Sequence, residues 1–123
     1  MILSFAWTWP QYLSGQKTCT RRPKWQRATR LKWQRAWDEG RIKHQAWSRL
    51  PWLPGAERGP DFVLTCRPYY ECLCDMPVED LKAEGGLWET AEEFIALQGV
   101  PPETLTMVLR FEMVKEDDAV ESG

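Results

Sequence analysis

The sequence lacks the features of a membrane-spanning or exported protein. No apolar run approaches the roughly 18 residues that a membrane helix requires. The apolar stretch at residues 1–13 has neither a positively charged leader nor a small-residue cleavage site, so it resembles the start of a folded domain more than an export signal. These absences predict a cytoplasmic protein with no membrane partner.

Metal ligands are also scarce. His44 is the only histidine, and the four cysteines are Cys19, Cys66, Cys72 and Cys74. A zinc site would need these residues to converge from distant positions without the usual paired spacing. Reduced thiols that pack as small apolar side chains are the favoured interpretation for a cytoplasmic protein. We therefore expect no metal and no other cofactor.

Charge and tryptophan are unevenly distributed along the 123 residues. Residues 1–58 hold 12 Lys or Arg against 3 Asp or Glu, whereas residues 59–123 hold 4 against 15. Seven of the eight tryptophans lie in the basic part. Basic and aromatic side chains together can neutralise phosphates and stack on bases. The alternative is a core rich in tryptophan beneath a solvated cationic surface.

Residue patterns predict one domain that contains both strands and helices. Residues 2–7 and 17–22 suit short strands, and residues 61–74 suit a longer strand with an irregularity at Pro68. Leu105 to Val114 is the clearest strand. With a further strand at 41–49, about five strands and the helices between them predict an α+β fold, a small, mixed, partly closed β-barrel with helical caps.

The predicted helices include one that is both basic and rich in tryptophan. Trp25, Thr29, Trp33 and Trp37 recur every four residues, which predicts a helix at about 24–39 with these side chains on one face. Shorter helices are expected at 8–15 and 77–83, and a capping box of Thr90 and Glu93 predicts another helix through residue 97. Residues 116–123 are expected to form a disordered tail.

The densest cluster of hydroxyls and cations lies in the segment SGQKTCTRRPKW, residues 14–25. It contains Lys17, Thr20, Arg21, Arg22 and Lys24. An apolar first strand, a short helix ending in glycine and then Lys-Thr-x-Thr-x-Arg resembles the beginning of ASCH domains of the PUA-like superfamily. A later glutamate, a helix and a final strand holding an aromatic residue resemble the second half of the same family. The resemblance covers about residues 2–114, and the basic helix at 24–39 is similar to an insertion into a domain of residues 1–115.

The resemblance implies a barrel with a cleft beside the Lys-Thr segment and a role with RNA or modified nucleosides. Some small ASCH proteins remove the acetyl group from 4-acetylcytidine with a lysine, a threonine three residues further on and a distant glutamate. The matching residues here are Lys17, Thr20 and Glu84. Other members are described as RNA binders or ribonucleases, so the resemblance leaves the activity open.

Elementary chemistry sets conditions on that catalytic assignment. A threonine hydroxyl would attack the acyl carbon, and a neutral lysine would accept its proton. Neighbouring cations at positions 21, 22 and 24 would help by lowering the pKa of Lys17. Residues 17 and 20 would point to opposite faces of a regular strand, so they converge only if Lys17 belongs to the preceding turn or a bulge intervenes. Glu84 precedes two glycines, which favours an exposed rim.

Ligand binding without catalysis requires fewer side chains to be placed exactly, and it is the first functional prediction for this sequence. Arg21, Arg22 and Lys24 would contact phosphates of RNA or of a modified nucleoside, while Trp25 or Trp7 would stack on a base. The arginines could instead pair with carboxylates of the acidic half. A further alternative is a protein-interaction domain in which the basic helix docks an acidic partner.

Overall fold

In the computed structural model, which describes residues 1–114, six strands and four α-helices are spread along the chain. The strands are β1 (Ile2–Ser4), β2 (Cys19–Arg22), β3 (Lys43–Trp47), β4 (Phe62–Leu64), β5 (Tyr69–Cys72) and β6 (Leu105–Met113). The helices are α1 (Trp9–Leu13), α2 (Arg27–Asp38), α3 (Asp80–Ala83) and α4 (Ala91–Leu97), with 3-10 turns at Ala6–Thr8 and Leu73–Asp75. The tail predicted at 116–123 lies outside the described residues.

β6 organises the sheet because three strands pair with it. β2 pairs antiparallel along one edge, with Cys19 opposite Arg110. β5 and β4 share the other edge, β5 along the first half of β6 and β4 along the second. β3 extends the sheet from β4, and β1 adds to β3 in parallel. The result is a curled six-stranded half-barrel, which confirms the α+β class and the small barrel-like shape.

The prediction of a single strand at residues 61–74 is wrong. Two strands, β4 and β5, lie in this segment, so the sheet has six strands where about five were expected. The chain leaves β4 at Leu64 and re-enters the sheet as β5 at Tyr69. Pro68, which has no N–H to donate to a ladder, is buried between them. Its carbonyl accepts a hydrogen bond from the Gln34 side chain at 3.0 Å, so α2 supports the interruption.

The first strand is shorter than residues 2–7 because the backbone turns at Ala6. Ala6 has φ 43°, in the left-handed region that disfavours residues with a Cβ. Its N–H donates to the carbonyl of Ser48 at 2.9 Å, which holds the turn against the end of β3. The turn leaves Trp7 with 69% of its surface exposed.

The main core lies between the curled sheet and α2. It contains Phe5, Tyr12, Trp33, Phe62 and Phe111, all at most 5% exposed. Burial of each such side chain contributes roughly 1.5–3 kcal/mol to folding. The burial of Trp33 confirms the predicted packing face of α2. An acidic partner would therefore contact the lysines and arginines of this helix and not its tryptophans. A smaller cluster of Leu73, Met76, Leu81 and Phe94 packs α3 and α4 together.

The four cysteines are free thiols, but only Cys19 is buried, and Cys74 is exposed. The expectation of buried thiols is therefore wrong for Cys74. Within residues 1–114, no group of three or more His, Cys, Asp or Glu side chains is placed to hold a metal ion. Over the same range, no helix is both long and apolar enough to cross a membrane.

Candidate functional site

A cleft of about 440 Å³ opens between the turn after β1, the segment after β2 and the end of α4. Every side chain predicted for the site lines it: Trp7, Lys17, Thr20, Arg21, Arg22, Lys24, Trp25 and Glu84. Lys17 and Glu84, which are 67 positions apart in the sequence, therefore line the same cavity. Their roles stay predictions, but the geometric condition on which those roles depend is met.

Lys17 lies in the turn before β2, which begins only at Cys19. The Lys17 N–H donates to the Gln11 carbonyl at 3.0 Å, and the Thr18 N–H donates to the Ala83 carbonyl at 2.8 Å. These bonds hold Lys17 and Thr18 against α1 and α3, and pairing with the sheet begins only after Lys17, where the Thr18 carbonyl accepts from the Phe111 N–H of β6 at 2.9 Å. Lys17 is therefore free of strand alternation and shares the cleft with Thr20, as the condition stated for their convergence requires.

The Lys17 ammonium is buried and bonded to Glu84. Nζ donates to the Glu84 main-chain carbonyl at 2.7 Å and to its Oε1 at 3.3 Å, and Lys17 is 4% exposed. Burial lowers the pKa of Lys17, the Glu84 carboxylate opposes that shift, and Arg22 adds to it. A neutral amine keeps two hydrogens, so it could retain both bonds and still present a lone pair.

Glu84 is 2% exposed, so the expectation of an exposed rim is wrong. Its Oε2 accepts a hydrogen bond from Arg21 Nη1 at 3.0 Å, while Oε1 faces Lys17. Two cations thus offset the cost of burying this carboxylate. The glycines after it form a tight turn, since Gly86 has φ +72° and a Cβ there would lie 2.5 Å from the Gln16 side chain. They place Glu84 inward rather than making it mobile.

Arg21 pairs with carboxylates of the acidic half, which confirms the alternative stated for one of the arginines. Its guanidinium, which is fully buried, bonds to Glu71, Asp80 and Glu84. Asp80 also accepts from Arg110, so the network joins β2, β5, β6 and α3. Arg21 borders the cleft, but most of its donors are already used. Its position favours a role in holding Glu84.

Arg22 differs from Arg21 because it has no carboxylate partner among residues 1–114. Its Nη2 donates to the Ser4 carbonyl at 2.9 Å, and its Nε donates to Thr20 Oγ1 at 3.2 Å. The guanidinium lies 5.8 Å from the centre of the Trp25 ring and 5.9 Å from that of Phe5. Burial lowers the pKa of Arg22 to about 10, so it remains charged at neutral pH.

The charged side chains in and beside the cleft carry a net positive charge. Lys17, Arg21 and Arg110 are bonded to three carboxylates, and these six groups balance when all are ionised. Arg22 adds one further positive charge, which is the excess of this inner cluster, and the exposed Lys24 adds another at the edge of the cleft. Either an anionic group of a ligand or deprotonation of Lys17 would neutralise the excess. The cleft is therefore suited to an anion, to a neutral lysine, or to each at different steps.

Aromatic rings line the walls above this polar floor. Trp25 stacks on the buried Trp33 with ring centres 5.7 Å apart, which fixes its orientation. Trp88, which also lines the cleft, packs edge-on against Phe94, with ring centres 4.7 Å apart. Sequence reasoning missed Trp88, Phe94 and the partly exposed Leu97. Trp88 is the one tryptophan of the acidic half of the sequence, residues 59–123. Its position apart from the other seven tryptophans is the sequence feature that could have indicated a role in the site.

No family model, no curated protein and no solved structure matches this chain. The resemblance to ASCH domains therefore stays a prediction made from residues 14–25 and Glu84.

Proposed function

We propose that the cleft binds a nucleoside-like ligand, either a modified nucleoside or a single nucleotide unit of RNA. The observation that carries the proposal is Arg22, a cation that lacks a carboxylate partner in residues 1–114 and lies beside an aromatic wall and a buried polar floor. Phosphate or sugar oxygens would meet Arg22 and the exposed Lys24. The volume of about 440 Å³ is in the range of small-molecule sites.

The floor and walls supply the two interactions that recognise a base. A planar base would stack on Trp7 or Trp25, which is worth about 1–3 kcal/mol per base. Its polar edge would meet the Thr20 hydroxyl and the Lys17–Glu84 pair, which offer both donors and acceptors. A base with a matching polar edge would add hydrogen bonds to these groups, and a base without one would cover them and exclude water from them, so discrimination between bases is expected.

Calorimetric titration tests this proposal. Cytidine, 4-acetylcytidine, uridine and adenosine are compared with a short single-stranded RNA at about 50 and 200 mM salt. We expect at least one nucleoside to bind with a Kd below about 1 mM, and the RNA to bind more weakly at the higher salt. Absence of binding by every probe would overturn the proposal. RNA binding that ignores salt would exclude the phosphate contacts.

Hydrolysis of an acylated exocyclic amine is the second candidate, and the bond between Lys17 Nζ and Glu84 favours it. Thr20 Oγ1 would attack the acyl carbon and pass its proton to neutral Lys17. The tetrahedral intermediate would expel the amine, which takes a proton from the Lys17 ammonium. Water activated by Glu84 would then hydrolyse the ester on Thr20 and restore the hydroxyl. Arg22, 3.2 Å from Thr20 Oγ1, would stabilise developing negative charge.

Acetate release from 4-acetylcytidine separates this candidate from simple binding. Thr20→Val and Lys17→Ala should each abolish release, whereas Thr18→Val is the matched control because Thr18 does not line the cleft. Circular dichroism and the melting temperature confirm that each variant is folded. Release that persists in Thr20→Val would exclude Thr20 as the nucleophile. Binding without any release by the wild type leaves the first proposal alone.

A further inference from the structure

A second groove adjoins the cleft and has no role in the function proposed above. It encloses about 590 Å³ and shares Ser4, Ala6 and Trp7 with the first cleft. Its other wall is formed by Ser48, Arg49, Leu50 and Leu53 of the segment that follows β3. The two cavities therefore meet along one short stretch of backbone at residues 4–7.

The shared stretch is both strained and exposed. Ala6 adopts φ 43°, a conformation that costs a residue with a Cβ and that persists only where the surrounding structure imposes it. Its N–H bond to Ser48 supplies that constraint and joins the stretch to the second wall. Trp7, 69% exposed, stands at the junction of the two cavities, where a ring can stack on a base.

Each cavity contains one guanidinium that forms no ion pair within residues 1–114. On the side of the first cleft, Arg22 Nη2 donates to the carbonyl of Ser4, a residue of the junction. In the second groove, Arg49 Nη1 donates to the Pro54 carbonyl at 2.6 Å, and the side chain forms no ion pair within the part of the chain that the structure describes. Leu50 and Leu53 complete the groove with partly exposed apolar surface. Two cations thus flank a junction that contains no carboxylate.

We infer that the second groove holds a second nucleotide, joined to the ligand of the first cleft by a phosphodiester that crosses the Ser4–Trp7 junction between Arg22 and Arg49. This inference rests on the proposed function and narrows it, because the ligand is then a dinucleotide unit of RNA and not a free nucleoside. The linking phosphate carries the negative charge that both guanidinium groups favour. The second base lies against Trp7, Leu50 and Leu53.

The test compares 4-acetylcytidine with two dinucleotides that carry it on the 5′ or the 3′ side of adenosine. Affinities are measured by calorimetry, with acetate assayed to confirm that each probe is intact. The first variant, Arg49→Gln, removes a positive charge from the groove. The second, Leu53→Asp, introduces a negative charge there. Arg41→Gln is the matched control, because Arg41 lies two residues before β3 and Arg49 two residues after it, at opposite ends of the strand. Melting temperatures confirm folding.

For the wild type and Arg41→Gln, we expect one dinucleotide to bind about tenfold more tightly than the nucleoside. Arg49→Gln and Leu53→Asp should each reduce that ratio to about twofold or less. A wild-type ratio near one, with the nucleoside bound, would overturn the second subsite and leave the proposed function standing. A ratio that Arg49→Gln does not change would overturn it as well. If neither 4-acetylcytidine nor either dinucleotide binds, the second subsite is overturned, and the other nucleosides and the RNA named above decide the proposed function.

Discussion

Lys17 Nζ lies 3.3 Å from Glu84 Oε1, although the two residues are 67 positions apart in the chain. The side chains are 4% and 3% exposed, so the Lys17 charge depends on Glu84, and the Glu84 charge depends on Lys17 and Arg21. Removal of one member of a buried ion pair leaves the other without compensation, which costs far more than loss of an exposed pair. This contact therefore links the stability of the domain to the chemistry of its cleft.

Glu84→Gln should strongly destabilise the domain while it keeps the shape of the side chain. Lys17 and Arg21 would lose a buried counter-charge, so we expect the free energy of unfolding to fall by about 3 kcal/mol or more. Urea denaturation measures it.

Glu39→Gln is the matched control, because Glu39 forms an ion pair with Arg41 in which both side chains are about half exposed. Its loss should cost less than about 1 kcal/mol. Equal losses in the two variants would show that the Lys17–Glu84 pair is not the buried contact described here.

The rate of any acetate release should increase with pH and level off below 10.5, the ordinary pKa of lysine. Burial lowers the pKa of Lys17, and only the neutral amine can accept the Thr20 proton, so activity appears as the pH rises through that lowered value. A pH–rate profile measures it. Lys17→Arg should be inactive across the same range, because a guanidinium stays protonated. A rate that falls as the pH rises would contradict the base role of Lys17.

Trp7→Ala should weaken nucleoside binding by about 1–3 kcal/mol without a loss of stability, because its ring is largely exposed and lines both cavities. Titration calorimetry and thermal melting separate the two effects. Trp52→Ala controls for the loss of an exposed indole, since Trp52 is 74% exposed and lines neither cavity. Equal affinities for the two variants would remove Trp7 from the binding surface.

Trp33→Ala should cost about 3–5 kcal/mol of stability, because Trp33 is 1% exposed and packs between Trp25 and Phe62. The Trp25 ring would also lose its support, so the variant should bind nucleosides more weakly wherever it is still folded. Urea denaturation gives the first effect, and titration below the unfolding transition gives the second. A loss below about 1 kcal/mol would contradict the core position of Trp33.

Stability should fall as the pH decreases from 6.5 towards 4, and His44 should account for part of that fall. Burial, together with the Met1 amine 2.8 Å from Nδ1, lowers the pKa of His44 from 6.5 to about 4. The folded state therefore favours the neutral ring, so this contribution is complete above pH 6.5 and is lost by about pH 4. Its size is up to about 3 kcal/mol. Unfolding free energies of the wild type and His44→Gln across this range should converge as the pH falls; parallel curves would contradict the assignment.

Local patterns in the sequence determined the elements that depend on near neighbours. The four-residue spacing of Trp33 and Trp37 predicted the buried face of α2, which begins at Arg27. The largely apolar stretch from residue 105 to 114 predicted β6, and the Thr90 side chain accepts from the Glu93 N–H, which is one of the two bonds of a capping box. The dense segment from Lys17 to Trp25 predicted where the cleft lies. These features could be read because propensity, capping and periodicity act within a few residues.

Only the tertiary structure decided which distant groups meet. The burial of Glu84 depends on Lys17 and Arg21, 67 and 63 positions away. The break at Pro68 depends on Gln34 of α2, and the groove beside Ala6 depends on the segment after β3. Such contacts are set by how the curled sheet closes and by which charges can neutralise one another inside it, and neither is encoded in the spacing of neighbouring residues.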